Sequence, residues 1–440
     1  VDAGSAASWT HTTIQVAVPN GVSTGLVIVT VGGISSNGLS FIVTPYISGL
    51  TPTIGTVGSN LTINGANFGN IQGFSTVKIG GVNASVVSWS QTQIVVTIPT
   101  VAAGVNNVIV TVDGYDSNSM SYTVKPRITS LVPSQEAINT NVTINGTTFG
   151  TTPTPNTVTF GGLTASIVSW NDTQIVATVP NLTLGAVPVT VTVNGISSDP
   201  VTFTVAPGIT SINPTFGSAG TQVTITGNNF SSTGTVKFDT ITMTTTSWTG
   251  TTITLTIPKT IPGGNYNVVV TAGGISSSPG SFQVRPYITS CDCSNQGVIG
   301  GGTYITGTNF GDPQGSSTLT FGGANSGTAL SWTHTAISPV IPYQATTGNV
   351  VVTVGGVNSN SVGFTISPQS WTELSPAGTL PGVRYTHTAI YDADDQKMIV
   401  FGGWTGSELT DDTYSLYITT STWTKITGGS FTPSAREGHS

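Results

Sequence analysis

The chain has 440 residues, of which Lys+Arg 10 and Asp+Glu 17 make only 6% charged, against about 25% in an ordinary soluble domain. A net charge of −7 with no cluster of basic residues excludes the phosphate neutralisation that nucleic-acid binding requires. Two cysteines, Cys291 and Cys293, exclude a disulfide-stapled scaffold, and no apolar run approaches the roughly 18 residues of a membrane span. Hydroxyls and amides fill the polar positions instead. That surface suits a secreted or cell-surface β protein, and the scarcity of cysteine points to a bacterium or archaeon.

Residues 1–44 read as the back half of a unit: Ser8-Trp9, IQVAVPN, LVIVTVGGISS and LSFIV. The opening strands of that unit are not in the chain. We expect the chain to be an excerpt of a longer one; the alternative is a half-sandwich completed by strand addition from another chain.

The same phrases then recur in the same order over 45–125, 126–206, 207–285 and 286–367. The Ser-Trp phrase places Trp9, Trp89, Trp170, Trp248 and Trp332 at steps of 80, 81, 78 and 84, and the prolines Pro45, Pro126, Pro207 and Pro286 step by 81, 81 and 79. A fixed period of this kind makes the repeat the fold unit. Within 126–206, Val189, Val191 and Val193 alternate with Thr190 and Thr192, and Ile175, Ala177 and Val179 alternate with Val176 and Thr178. Period two with apolar residues inward marks half-buried antiparallel strands. Asn145-Gly146 and Asn194-Gly195 read as hairpin turns, Gly supplying the positive φ. About seven short strands in about 80 residues, with no helical period, predict an all-β chain of immunoglobulin-like β-sandwiches in a linear array. Each proline opens the next unit with almost no linker, and its fixed φ predicts stiff joints. Four whole units would then span on the order of 100–150 Å.

The order of "ITSLVP", "VTINGTTFG", "VTFGG" and "VTVNG" resembles the IPT/TIG family of immunoglobulin-like domains over about 1–367. The resemblance implies a spacer, adhesion or interaction module on surface proteins. The family's DNA-binding members use basic loops that this chain lacks, so that function does not carry over. Two copies depart from the pattern: Phe238-Asp239-Thr240 stands where others have Phe160-Gly161-Gly162, and Cys291…Cys293 stands for Leu131…Pro133.

From about 368 the grammar changes. Trp371-Thr372-Glu373-Leu374, Arg384…His387, MIVFGG at 398–403, Tyr414…Tyr417 and Trp423 resemble one kelch repeat, and Arg436-Glu437-Gly438-His439 opens a second. Residues 368–440 are therefore expected to form a partial kelch β-propeller blade. The resemblance implies that the natural protein continues past Ser440, because a lone blade leaves its edges uncovered.

Candidate chemistry is sparse, and no catalytic, cofactor-binding or metal-binding residue is expected. His11 and His334 share one repeat position that elsewhere holds Gln91, Asp172 or Gly250, which marks a turn rather than a base. His387 and His439 fall on the kelch pattern and are expected to be structural. The acidic groups Asp392, Asp394, Asp395, Asp411 and Asp412 read as solvated turn carboxylates rather than a calcium loop. The five repeat tryptophans read as packed core rather than sugar platforms. Cys291 and Cys293, one residue apart on an expected strand, read as a buried thiol at the Leu131 position, with a local or interchain disulfide as the alternative. Seven Asn-x-Ser/Thr sequons (Asn60, Asn83, Asn141, Asn145, Asn171, Asn181 and Asn229) are near chance in so polar a chain and argue nothing about glycosylation.

The expected function is an extracellular, non-enzymatic structural or adhesive protein: a rigid stalk of tandem Ig-like units that displays a kelch propeller and self-associates into a fibre or filament. The kelch part would meet surface glycans or a receptor. Two alternatives stand beside it: the spacer of a carbohydrate-active or sugar-binding surface protein whose active part is the propeller, and a viral receptor-binding fibre.

Overall fold

The structure, a computed structural model, describes residues 1–19, 21–368, 373–428 and 433–438. Trp371 and His439 lie outside the described residues, as does the Cys293 side chain. The chain divides into two compact units, Val1–Ile366 and Ser367–Ser440. Among the described residues, the one helical element is the four-residue turn Asp292–Asn295. The rest is strand and loop.

The copy at 126–206 shows how the repeat folds. One sheet has four strands in the order Arg127–Val132, Asn141–Thr147, Gln174–Thr178, Ser166–Trp170. The facing sheet has six, running Gln135–Glu136, Val201–Val205, Gly185–Val193, Thr157–Phe160, Leu163–Thr164, with Ile196–Ser197 also paired to Gly185–Val193. Alternation along each strand turns Val142, Ile144, Ile175 and Ala177 from one sheet against Val158, Phe160, Val189, Val191, Phe203 and Val205 from the other, all 0% exposed. Each larger side chain so enclosed contributes about 1.5–3 kcal/mol of apolar burial. The same two-sheet arrangement recurs in the copies at 45–125, 207–285 and 286–367, each with its own core.

All ladders in this copy are antiparallel save one. Gln135–Glu136 pairs parallel to Val201–Val205, so the segment that begins in the four-stranded sheet crosses over and joins the other. The first strand also carries a bulge between Ile128 and Ser130, matched at Ile47/Gly49, Ile209/Ser211 and Ile288/Ser290. The bulge lets Ile128 and Leu131, three residues apart, both turn inward, which a regular strand forbids.

Two expectations are corrected here. Asn145-Gly146 is not a hairpin turn; it lies within the strand Asn141–Thr147. Gly146 is required there by crowding: a Cβ would stand 2.1 Å from the Arg127 carbonyl oxygen and 2.2 Å from Cζ of Phe149. Asn194-Gly195 does form a two-residue turn, with φ of +50° and +77°. The cysteine pair is the second correction. Cys291 ends the strand Tyr287–Cys291, whereas Cys293 belongs to the helical turn Asp292–Asn295, so the two do not share a strand face. Cys291 is a free, buried thiol, and burial pushes its pKa up to about 11.

Residues 1–44 form only short hairpins, Ser8–Trp9 with Ile14–Gln15, Gly25–Val27 with Leu39–Phe41, and Thr30–Val31 with Ile34–Ser35. Among the described residues these three two-stranded sheets are all the strand pairing that this stretch holds. Val27 is 48% and Phe41 39% exposed, whereas their counterparts Val189 and Phe203 are at 0%.

The unit Ser367–Ser440 is one five-stranded sheet in the order Ala377–Gly378, Thr422–Ile426, Thr413–Tyr417, Lys397–Phe401, Thr388–Asp392. Val400, Tyr414, Leu416 and Trp423 form its small core, with Met398 against them.

Candidate functional site: the joints between repeats

The tryptophan and the phenylalanine that follows the second long strand act as one device. The Trp170 indole N–H donates to the Phe149 carbonyl at 2.9 Å while the two rings meet edge to face at 6.4 Å. Trp89 does the same with Phe68, at 2.8 Å and 6.3 Å, and the indole N–H of Trp248 donates to Phe230 and that of Trp332 to Phe310, each at 2.9 Å. Trp332 is buried and the other three are half-buried, so the indole N–H and the ring face are both used inside the unit. Trp9 departs from this: it is 56% exposed, and among the described residues its strand pairs only with Ile14–Gln15.

Just before each of those phenylalanines stands a residue that reaches out of its own unit. Asn67, Thr148, Asn229 and Asn309 all have φ between +57° and +62°, the left-handed region that Asn tolerates and Thr rarely adopts. Asn67 Nδ2 donates to the Thr44 carbonyl at 3.2 Å and Asn229 Nδ2 to the Leu182 carbonyl at 3.0 Å, in each case on the preceding copy. Thr148, with a hydroxyl in place of the amide, donates at 2.6 Å to the Thr147 carbonyl of its own unit and only approaches the Lys125 carbonyl, at 3.4 Å. Asn309 does more. Its Nδ2 donates to the carbonyls of Pro258 and Ile261 at 2.9 and 2.7 Å, its Oδ1 accepts from the Ala219 N–H at 2.7 Å, and it is 0% exposed. Two carbonyls and one N–H of one sandwich are thus met by a single side chain of the next. The composition and period did not single out this position; its signal is the Asn-Phe or Thr-Phe pair after the strand, followed by Gly in three copies and by Ser231 in the fourth.

The joint prolines Pro45, Pro126, Pro207 and Pro286 are all buried. Around them the copies are also tied by side chains. Lys125, one residue before Pro126, meets Asp199 of the next copy at 2.5 Å. Glu136 accepts from Ser278 Oγ at 3.0 Å, Gln135 Nε2 donates to the Ser276 carbonyl at 2.8 Å, and Asn194 Nδ2 donates to the Ala103 carbonyl at 3.1 Å.

His11 and His387 are exposed, and His334 is half-buried with its Nδ1 facing no hydrogen-bond partner. In the unit Ser367–Ser440, Asp392 and Asp395 flank Lys397. Asp412 pairs with Lys425 at 2.6 Å, a bond that holds the Asp412 carboxyl below the usual carboxylate range. Arg384 stands over the Tyr414 ring at 4.9 Å and donates to the Gly402 carbonyl at 3.0 Å. Arg436 and Gly438 return to this sheet: the Gly403 N–H donates to the Arg436 carbonyl at 2.8 Å and the Gly438 N–H to Thr386 at 2.9 Å. Among the described residues no group of three or more His, Cys, Asp or Glu side chains could hold a metal ion.

The IPT/TIG domain family matches residues 45–125, 126–205 and 207–284. A family described as the KLHDC2/KLHL20/DRC7 Kelch-repeats domain matches 341–440; its first part overlaps strands Gly348–Val354 and Val362–Ile366, which the structure places in the last sandwich. Fibrocystin-L of Homo sapiens is 31% identical over 195 residues, 43% of this chain and 4% of that protein. A cyclomaltodextrin glucanotransferase of Geobacillus stearothermophilus is 48% identical over 67 residues, 15% of this chain and 9% of the enzyme. The extracellular region of plexin A4 aligns over 72% of this chain and 30% of its own, at 17% identity and a TM-score of 0.24. The chain therefore spans less than a tenth of these two curated relatives.

Proposed function

From the premise that this chain belongs to the IPT/TIG family and carries a kelch-type blade after its tandem Ig-like units, we propose that it is the stalk of an extracellular structural or adhesive protein. The observation that carries this reading is the repeated joint: a buried proline with no linker, reinforced from the next copy by Asn67, Asn229 or Asn309, or, at Pro126, by Asp199 on Lys125. Hydrogen bonds to backbone on both sides of a joint restrict its bending, and that is what a spacer needs. In this reading the segment holds no reaction centre, and its sparse charge permits lateral contact between copies without like-charge repulsion. Self-association into a filament is the finer part of the same proposal.

Small-angle X-ray scattering of the chain tests the stalk: a maximum dimension on the order of 100 Å or more is expected from four units in line, and a compact particle would overturn it. Negative-stain microscopy and sedimentation at high concentration test the filament, which is abandoned if only monomers are seen. A second reading, a spacer in a carbohydrate-active protein, is favoured by the 67 residues shared with a cyclomaltodextrin glucanotransferase. That length fits within a single Ig-like unit, so it speaks for a shared module rather than for shared catalysis.

A further inference from the structure

The joint between the copies at 207–285 and 286–367 holds a cleft of about 420 Å³, with Phe216 and Ser218 on one side, Tyr287, Asn358 and Asn360 on the other, and Arg285 at the junction. That volume is in the range of about 300–1,000 Å³ typical of small-molecule sites. The Arg285 guanidinium lies over the Phe216 ring, its Cζ 3.6 Å from the centroid, and its Nε donates to Gln283 at 2.7 Å. One face and one edge of the cation are thereby fixed. No carboxylate among the described residues pairs with it.

The joint two units earlier shows what is missing. Lys125 holds the same place before Pro126 that Arg285 holds before Pro286, and it is neutralised by Asp199 at 2.5 Å. The residue at the Asp199 position in the last copy is Asn360, which is neutral. Its amide is already spent on Ile288, accepting from the N–H at 2.7 Å and donating to the carbonyl at 3.0 Å. An anchored cation therefore faces a cleft with aromatic and amide walls, in a chain of net charge −7, without an anion of its own. Beside it, Tyr287 is 47% and Phe216 45% exposed, so an apolar ring face is available next to the charge. Asn358 Oδ1 accepts from the Thr353 hydroxyl at 2.8 Å, which leaves its amide N–H₂ for donation.

We propose that this cleft binds one anionic residue of an acidic glycan, with the carboxylate or sulfate on Arg285 and the C–H face of the sugar ring on Tyr287. A planar guanidinium already stacked and bonded on one edge gives bidentate recognition of such an anion with little further ordering. A neutral sugar would leave the cation unpaired. The proposal does not depend on whether the chain serves as a stalk.

The test is calorimetric titration of the full 440-residue chain with trigalacturonate, a sulfated disaccharide, neutral cellotriose and inorganic sulfate. Binding of one or both acidic sugars is expected, weaker at high salt. Arg285→Gln should weaken it about tenfold or more, as the loss of a charge-assisted hydrogen bond does, and Tyr287→Ala severalfold. Both side chains are substantially exposed, so the melting temperature should be unchanged and loss of binding is not loss of fold. Either acidic sugar binding alone identifies which anion the site prefers and supports the proposal. It is overturned if no acidic sugar binds at millimolar concentration, if cellotriose binds as tightly, if inorganic sulfate alone accounts for the heat, or if Arg285→Gln binds like the parent.

Discussion

Replacement of Asn309 by glycine tests the joint directly. Alanine would confound the result, since φ is +62° at this position and alanine lacks asparagine's tolerance of that region; glycine adopts it freely, so the backbone is kept while the side chain and its amide are removed. Three hydrogen bonds disappear, to Ala219, Pro258 and Ile261. At about 0.5–1.5 kcal/mol each the loss is about 1.5–4.5 kcal/mol. Asn229→Gly removes one bond of the same kind, to Leu182, and should cost about 0.5–1.5 kcal/mol. The assay is hydrogen exchange of the whole chain followed by mass spectrometry, read on peptides covering 215–222 and 256–264 for Asn309→Gly and 180–186 for Asn229→Gly. Faster exchange confined to those segments, and larger for Asn309→Gly, is the expected outcome. Equal protection in both variants and the parent would refute the view that these side chains hold the joints.

Three further outcomes are expected. Gly146→Ala should cost about 3 kcal/mol or more, since the Arg127 carbonyl cannot yield to a Cβ at 2.1 Å, and pairing it with Phe149→Leu should recover part of the loss; urea unfolding of the copy at 126–206 by hydrogen exchange measures both. Tyr122 takes the place of Phe203, Phe282 and Phe364, and its buried hydroxyl has no hydrogen-bond partner, with burial outweighing nearby Ser59 to raise its pKa; Tyr122→Phe should therefore leave stability unchanged or raise it by about 1 kcal/mol in thermal melts. In a Cys293→Ser background, Cys291 should resist a thiol reagent until the chain unfolds. Its pKa is raised from 9.0 to about 11, so its contribution to stability is complete below pH 9 and lost as pH rises through 11, and rapid labelling of the folded chain at neutral pH would refute the burial.

Much of this fold was legible because its period is long and its strands alternate cleanly. The valines of Gly185–Val193 announced their inward face, and the Ser-Trp spacing announced the units. What escaped the alternation was the irregular backbone. Ile128 and Leu131 are three apart, as are Ile167 and Trp170, and only a bulge reconciles such spacing with a shared core. Asn145-Gly146 looked like a turn because the dipeptide has two physical uses, positive φ and absence of a Cβ, and only the position of Phe149 decides between them. Trp9 looked like its four relatives because sequence shows the plug but not whether its socket is present. The asparagines at the joints were harder to see, since their partners are carbonyls, which have no identity in a sequence. The cleft beside Arg285 was least legible of all: it follows from the difference between Asp199 and Asn360, one substitution among many.

The lone parallel pairing has a mechanical corollary. Tension on a unit enters just after one joint proline and leaves at the next, and those two ends lie side by side where Gln135–Glu136 runs along Val201–Val205. The bonds there, including Ala206 N–H to Glu136 at 2.9 Å and Thr204 N–H to Ser134 at 3.0 Å, lie across the line of pull and so share the load rather than opening in succession. Pulled through its joints, each sandwich would thus be closed by a sheared seam as well as by the antiparallel ladder of its first strand.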